Sequence, residues 1–150
     1  MTSALYNRDI LRLAASVAGN GRLAAAQGSA DKRSPTCGSR VIVDVMVTPD
    51  GALADLGLDV RACALGQASA ALMSMHAVGR NASELTATRD MLAAYLEGRA
   101  DIQPDFWPGI EVFEAARDYP ARHPSILLAF EAVVDAMTRA INIENRGSQA

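Results

Sequence analysis

Cysteine is scarce in this chain of 150 residues, which has only Cys37 and Cys63. Two thiols are too few for a disulfide scaffold, and they do not fall in a CxxC or similar metal-binding spacing. Basic runs are missing too. None is longer than Lys32-Arg33, and a net charge of −3 offers no positive field for nucleic acid. No apolar stretch approaches the ~18 to 20 residues that cross a bilayer, so no membrane role is expected. The first ten residues, MTSALYNRDI, lack the basic-then-apolar order of a signal peptide. With reduced thiols, that predicts a cytoplasmic protein. Glycine-rich phosphate loops, internal repeats and low-complexity segments are absent. The carboxylates are scattered, with no pair suited to acid–base catalysis, so no enzyme is expected.

What is present has an ordinary soluble composition, half apolar and about a fifth charged, and a length that suits one domain. Residues 4–18 read as an amphipathic helix with Leu5, Ile10, Leu13 and Val17 on one side, ended by Gly19-Asn20-Gly21. Residues 24–34 are small and polar, a loop or a short edge strand. The period then changes to two. Val41, Val43, Val45 and Val47 share one face, with Asp44 and Thr48 on the other. Thr48-Pro49-Asp50-Gly51 is a turn, after which Leu56, Leu58 and Val60 alternate with Asp55 and Asp59. The prediction is an antiparallel hairpin near 40–48 and 53–61.

From Ala64 onward the pattern is helical, with Leu65, Leu72 and Met75 at helical spacing and Gly79 closing the segment. Asn81-Ala-Ser-Glu84 fits a capping box before a helix over about 83–97, ended by Gly98. DIQPDFWPG is an irregular connector. A short helix, Ile110 to Arg117, stops at Tyr119-Pro120. The last helix is expected from about Ser125 to Ile143, with Leu127, Phe130, Val134, Met137 and Ile141 on its core face and a frayed tail beyond. The fold class is α+β, a small antiparallel sheet packed against a helical cluster.

The two cysteines fall at element boundaries. A free cysteine is most often a small buried hydrophobe. Cys37, however, precedes Gly38 in a loop where backbone can approach a ligand, and Cys63 falls where a helix is expected to start, a position that favours thiolate. The hairpin should bring both to one end, since they lie about equally far from the Pro49-Asp50 turn. His123, in ARHPS, is a candidate neighbour or a surface histidine; His76 reads as a helix-face residue. Ser39 and Ser125 fit a loop serine and a helix N-cap.

These residues carry a resemblance. PTCGSRVIVDVMVTPDGALADLGLDVRACALGQASAALM resembles the core of the U-type iron–sulfur cluster scaffold family, which comprises IscU, SufU and the NifU N-terminal domain. There a cysteine in a P-x-C-G-D loop leads into a hairpin, and a second cysteine opens a helix rich in Ala, Ser and Met. VGRNASEL is similar to the family's turn into the next helix. YPARHPSILLAFEAV is similar to the SufU segment F-P-x-R-I-K-C-A-T-L-A-W-K-A-L, and the long interval after Cys63 leans toward SufU. The likeness spans about residues 34–137; the family's H-Y-x-N-P-R-N signature has no counterpart upstream.

The resemblance implies three cysteine ligands and one aspartate for a zinc ion or a cluster. Cys37 and Cys63 stand at the first two cysteine positions, Ser39 at the aspartate and Ser125 at the third cysteine. In a second register His123 matches the histidine beside the third IscU cysteine, and Pro124 replaces that cysteine. The implied function is a scaffold that is not itself an enzyme. It binds iron, a labile [2Fe–2S] cluster or zinc through Cys37 and Cys63 and receives sulfur from a cysteine desulfurase. A dimer sharing two cysteines per chain is one way to reach four ligands. The alternatives are a metal-free homologue that binds protein partners and a persulfide carrier acting through Cys37.

Overall fold

The computed structural model of the chain describes residues 4–17, 21–35 and 38–148, with side chains as far as Ile143. A 3₁₀ turn at Ala4–Tyr6 precedes helix α1 (Arg8–Ser16). Asn7 caps α1, its side chain accepting from the Ile10 N–H at 3.0 Å. Strands β1 (Gly28–Arg33), β2 (Arg40–Val47) and β3 (Leu53–Arg61) follow and form one antiparallel sheet in the order β1-β2-β3. The predicted hairpin is β2–β3. The small polar segment before it supplies the third strand, because it pairs in full register with β2, from Gly28 opposite Val45 to Arg33 opposite Arg40.

Helices α2 (Ala64–Ala77), α3 (Ala82–Leu96) and α4 (His123–Ser148) form the other layer, with 3₁₀ segments at Pro104–Phe106, Ile110–Asp118 and Pro120–Arg122 between the last two. The capping box of α3 is complete: Asn81 Oδ1 accepts from the Glu84 N–H at 2.8 Å and Glu84 Oε1 from the Asn81 N–H at 3.2 Å. Val41, Val43 and Val45 are buried on the sheet face toward α4, which crosses β1 and β2. α2 packs against α1 and α4, and α4 also packs against α3. Trp107, from the proline-flanked connector, is fully buried. Its indole N–H donates to Leu72 O at 3.0 Å and its ring meets Phe130 edge-on at 5.3 Å.

Four expectations shift. α4 begins at His123 rather than Ser125, so Ser125 lies within its first turn and is not the N-cap. Pro124 is accommodated because first-turn N–H groups have no intrahelical partner. The core face of α4 also includes Ile126 and Val133, while Leu127 and Ile141 are half-buried. Met75 is exposed, at 61%, while Ala77 two residues on is fully buried, so Met75 stands on the outward side of the last turns of α2. The face of β2 opposite the helices is not open: Asp44 is 1% and Ile42 8% exposed. Residues 21–23 cover it. Gly21 O accepts from the Leu58 N–H at 3.1 Å, and a Cβ on Gly57 would stand 2.6 Å from Leu23 N. Only glycine lets this strap lie on the sheet.

Gly28 plays the same part on the helical face, where an added Cβ would stand 2.3 Å from Ala136 O and 2.7 Å from Ala140 N. Gly28→Ala should therefore push α4 off β1 and lower unfolding free energy by about 1–3 kcal/mol, the usual cost of overpacking. Urea denaturation of the variant checks this.

Candidate metal and thiol site

The site grows from the end of the sheet opposite the Pro49 turn. β2 and β3 are paired out to Arg40 opposite Arg61, so Ser39 comes level with Ala62, immediately before Cys63. The loop that carries Ser39 joins β1 to β2 and is closed by the Ser34 N–H donating to Ser39 O at 2.9 Å. Gly38 has φ of 72°, a left-handed conformation that suits glycine. Cys37 and Thr36 lie outside the described residues. Ser39 is buried, 4% exposed.

Cys63 is the N-cap residue of α2, extended at φ −64° and ψ 171°, and half-buried. Its carbonyl accepts the first helical bond, from the Gln67 N–H at 2.9 Å, while its thiol makes no capping hydrogen bond. A sulfur here stands beside the unpaired N–H groups and positive dipole end of a 14-residue helix.

α4 delivers the third position. Its first turn packs on the first two turns of α2. A Cβ on Gly66 would lie 3.4 Å from Ser125 O, and Ser69, fully buried, donates its hydroxyl to Ile126 O at 2.5 Å. Gly66 and Ser69 thus hold Ser125, 2% exposed, against the helix that Cys63 caps. Sequence reading passed over both, since a glycine and a serine inside an alanine-rich helix look like ordinary filler. The spacing of Gly66 and Ser69, three residues apart on one face, was the available signal. His123 is half-buried with Nε2 2.8 Å from Ala116 O. A carbonyl only accepts, so Nε2 is the donor in this contact.

The structure therefore gathers the Ser39 loop, Cys63 and the Ser125 turn at one end of the fold. Among the described residues, no group of three or more His, Cys, Asp or Glu side chains is placed to hold a metal ion. No helix among them is long and apolar enough to cross a membrane.

An antiparallel three-stranded sheet whose last strand leads into a cysteine-capped helix, with the final helix closing on it, defines the class. No family model matches the chain, and no characterised protein matches it by sequence. Solved structures do. A nitrogen-fixing NifU-like protein (N-terminal) from Brucella abortus superposes with a TM-score of 0.85 at 36% identity, over 93% of this chain and 96% of that one. A SUF-system iron–sulfur cluster assembly scaffold protein, SufU, from Fervidobacterium islandicum AW-1 gives 0.82 at 19% identity, over 91% and 99%. The chain belongs to the U-type iron–sulfur scaffold family, alongside the NifU N-terminal domain.

Proposed function

We propose that the chain is a scaffold for iron–sulfur cluster assembly that holds iron or a labile [2Fe–2S] cluster as cargo through Cys37 and Cys63. The placement of Cys63 carries this reading: a half-buried thiol with no capping hydrogen bond at a helix N-terminus, beside the loop of Ser39 and the turn of Ser125. Thiolates are the ligands iron–sulfur clusters and zinc favour. Sulfur arrives from a cysteine desulfurase persulfide. A cysteine thiolate of the scaffold attacks the terminal sulfur, the donor's S–S bond breaks, its thiolate leaves, and the sulfur is carried as a new persulfide.

A second reading is supported by Ser39 and Ser125, which stand buried where the resemblance puts an aspartate and a cysteine. A neutral hydroxyl must ionise before it becomes a strong ligand. With both positions neutral the chain would bind protein partners without metal.

Anaerobic reconstitution with ferric iron and sulfide separates the two. The scaffold reading expects bound iron and visible absorbance in the wild type and loss of both in Cys37→Ser and in Cys63→Ser. Wild-type protein that stays colourless and iron-free with a desulfurase and cysteine present leaves the metal-free reading.

A further inference from the structure

The two edges of the sheet are finished differently. On β3 the outward N–H of Leu58 is taken by Gly21 O. On β1 the Ser34 N–H donates to Ser39 O, one step beyond Arg33 opposite Arg40. Bonded pairs recur at every second residue of an antiparallel ladder. Gly28, Ala30, Lys32 and Ser34 therefore bond to β2, and the N–H and C=O groups of Ser29, Asp31 and Arg33 point away from the sheet. Among the described residues no group bonds to them there. Charges on such an edge discourage an unrelated apolar strand. Asp31 and Arg33 share the outer face on either side of Lys32, and Arg33 forms no ion pair among the described residues. Lys32 turns to the helical face, its Nζ 3.7 Å from the Asp135 carboxylate of α4. Glu131 and Arg139, both exposed, flank Asp135 one helical turn to either side.

We propose that β1 and α4 form an interface with a second copy of this chain, the β1 strands joining antiparallel about a twofold axis beside the Lys32–Asp135 pair. Outward residues must meet outward residues, which an axis at Lys32 satisfies. Each Asp31 then meets the copy's Arg33. An axis at Asp31 or at Arg33 would set like charges opposite one another, which is destabilising, and an axis at Ala30 would leave Arg33 facing a glutamine. The same axis runs past Asp135 and sets each Glu131 against the copy's Arg139. Opposite charges on the strand and on the helix thus interlock about one axis, as an isologous contact requires. At the axis the two Lys32 side chains alternate with the two Asp135 carboxylates. Asp31 can serve both arginines, since a carboxylate has about four acceptor sites and Arg40 takes one on each oxygen. α4 crosses both β1 and β2, so its axis lies about one strand spacing from the twofold. At ~4.8 Å per strand the two α4 helices would stand about 10 Å apart, the distance at which helices pack. The interface uses neither cysteine and does not rest on the scaffold reading.

Sedimentation equilibrium of the full chain with a chelator present, over roughly 1 μM to 1 mM, reads the mass. The expected result is a rise from one chain to two as concentration increases. Arg33→Pro removes an outward N–H at a position where an edge strand accepts proline. It should keep its circular dichroism and stay monomeric. Arg139→Glu should weaken the dimer roughly tenfold or more, because each substitution counts twice across the axis. Adding Glu131→Arg puts opposite signs back in register and should recover the wild-type mass. A wild type that stays monomeric across the whole range overturns the proposal. A dimer equally tight in a folded Arg33→Pro overturns the joining of the strands. If Arg33→Pro loses its circular dichroism, the helix pair decides: a dimer that Arg139→Glu leaves unchanged, or that the charge swap fails to restore, overturns the axis.

Discussion

Ser39→Asp combined with Ser125→Cys should bind zinc far more tightly than the wild type does. The two serines sit at the aspartate and third-cysteine positions implied by the family resemblance, and the fold brings their segments to Cys63. Four-ligand zinc sites contribute about 10–16 kcal/mol, roughly 2.5–4 kcal/mol per ligand if divided evenly, which is on the order of a hundredfold in affinity for each ligand restored. Competition against a chromophoric chelator at neutral pH measures the gain. The metal-free double variant should be less stable than the wild type, because an aspartate at a position 4% exposed is a buried charge without its counter-ion. Zinc should reverse that order in thermal melts. If zinc binds the double variant no better than the wild type, these two positions are not ligand positions in this chain.

The second large effect concerns the other face of the sheet. Asp44 accepts from Arg22 Nε and a second guanidinium nitrogen at 3.0 and 2.9 Å, from the Leu23 N–H at 3.1 Å and from the Ser29 hydroxyl at 2.6 Å. Asp44→Ala removes the acceptor for all of them and should cost about 2–4 kcal/mol in denaturant unfolding. The Arg22 hydrogen bonds, followed by those from Ser29 and Leu23, hold the Asp44 carboxyl below its ordinary value despite the opposing effect of burial. A carboxylate with a depressed folded value contributes stability above its unfolded value, about pH 4, and loses it as pH falls through the folded value. Wild-type stability should therefore decline below about pH 4, and Asp44→Ala should flatten part of that decline. Asp31, lowered chiefly by its hydrogen bonds to Arg40, and Asp50, lowered chiefly by its hydrogen bond from Thr48, keep a share of it.

Much of this fold was legible because its signals are local. The valine alternation in VIVDVMV, the Pro-Asp-Gly turn and the Asn81–Glu84 box each specify geometry within a few residues, and strands, turn and cap stand where they predict. The strap was not legible. Its anchors pair residues far apart in the chain, Arg22 with Asp44 and Gly21 with Leu58, and no periodicity encodes which loop lies on which strand. In the sequence Asp44 shows only as a residue on the face opposite the valines for that reason. At the candidate site the hairpin arithmetic was sufficient to bring the loop after β1 and Cys63 to one end.

The strap also bears on how the protein behaves when crowded. β3 is an edge strand of nine residues, and a free edge of that length is a template for strand addition and aggregation. Here three of its amides are already engaged away from β2. Leu53 N donates to Arg80 O, Leu56 N to its neighbour Asp55's carboxylate, and Leu58 N to Gly21 O. No run of vacant donors long enough to seat another strand remains between Leu53 and Leu58. The contact that closes the outer face of the sheet thus also blocks strand addition along this stretch of β3.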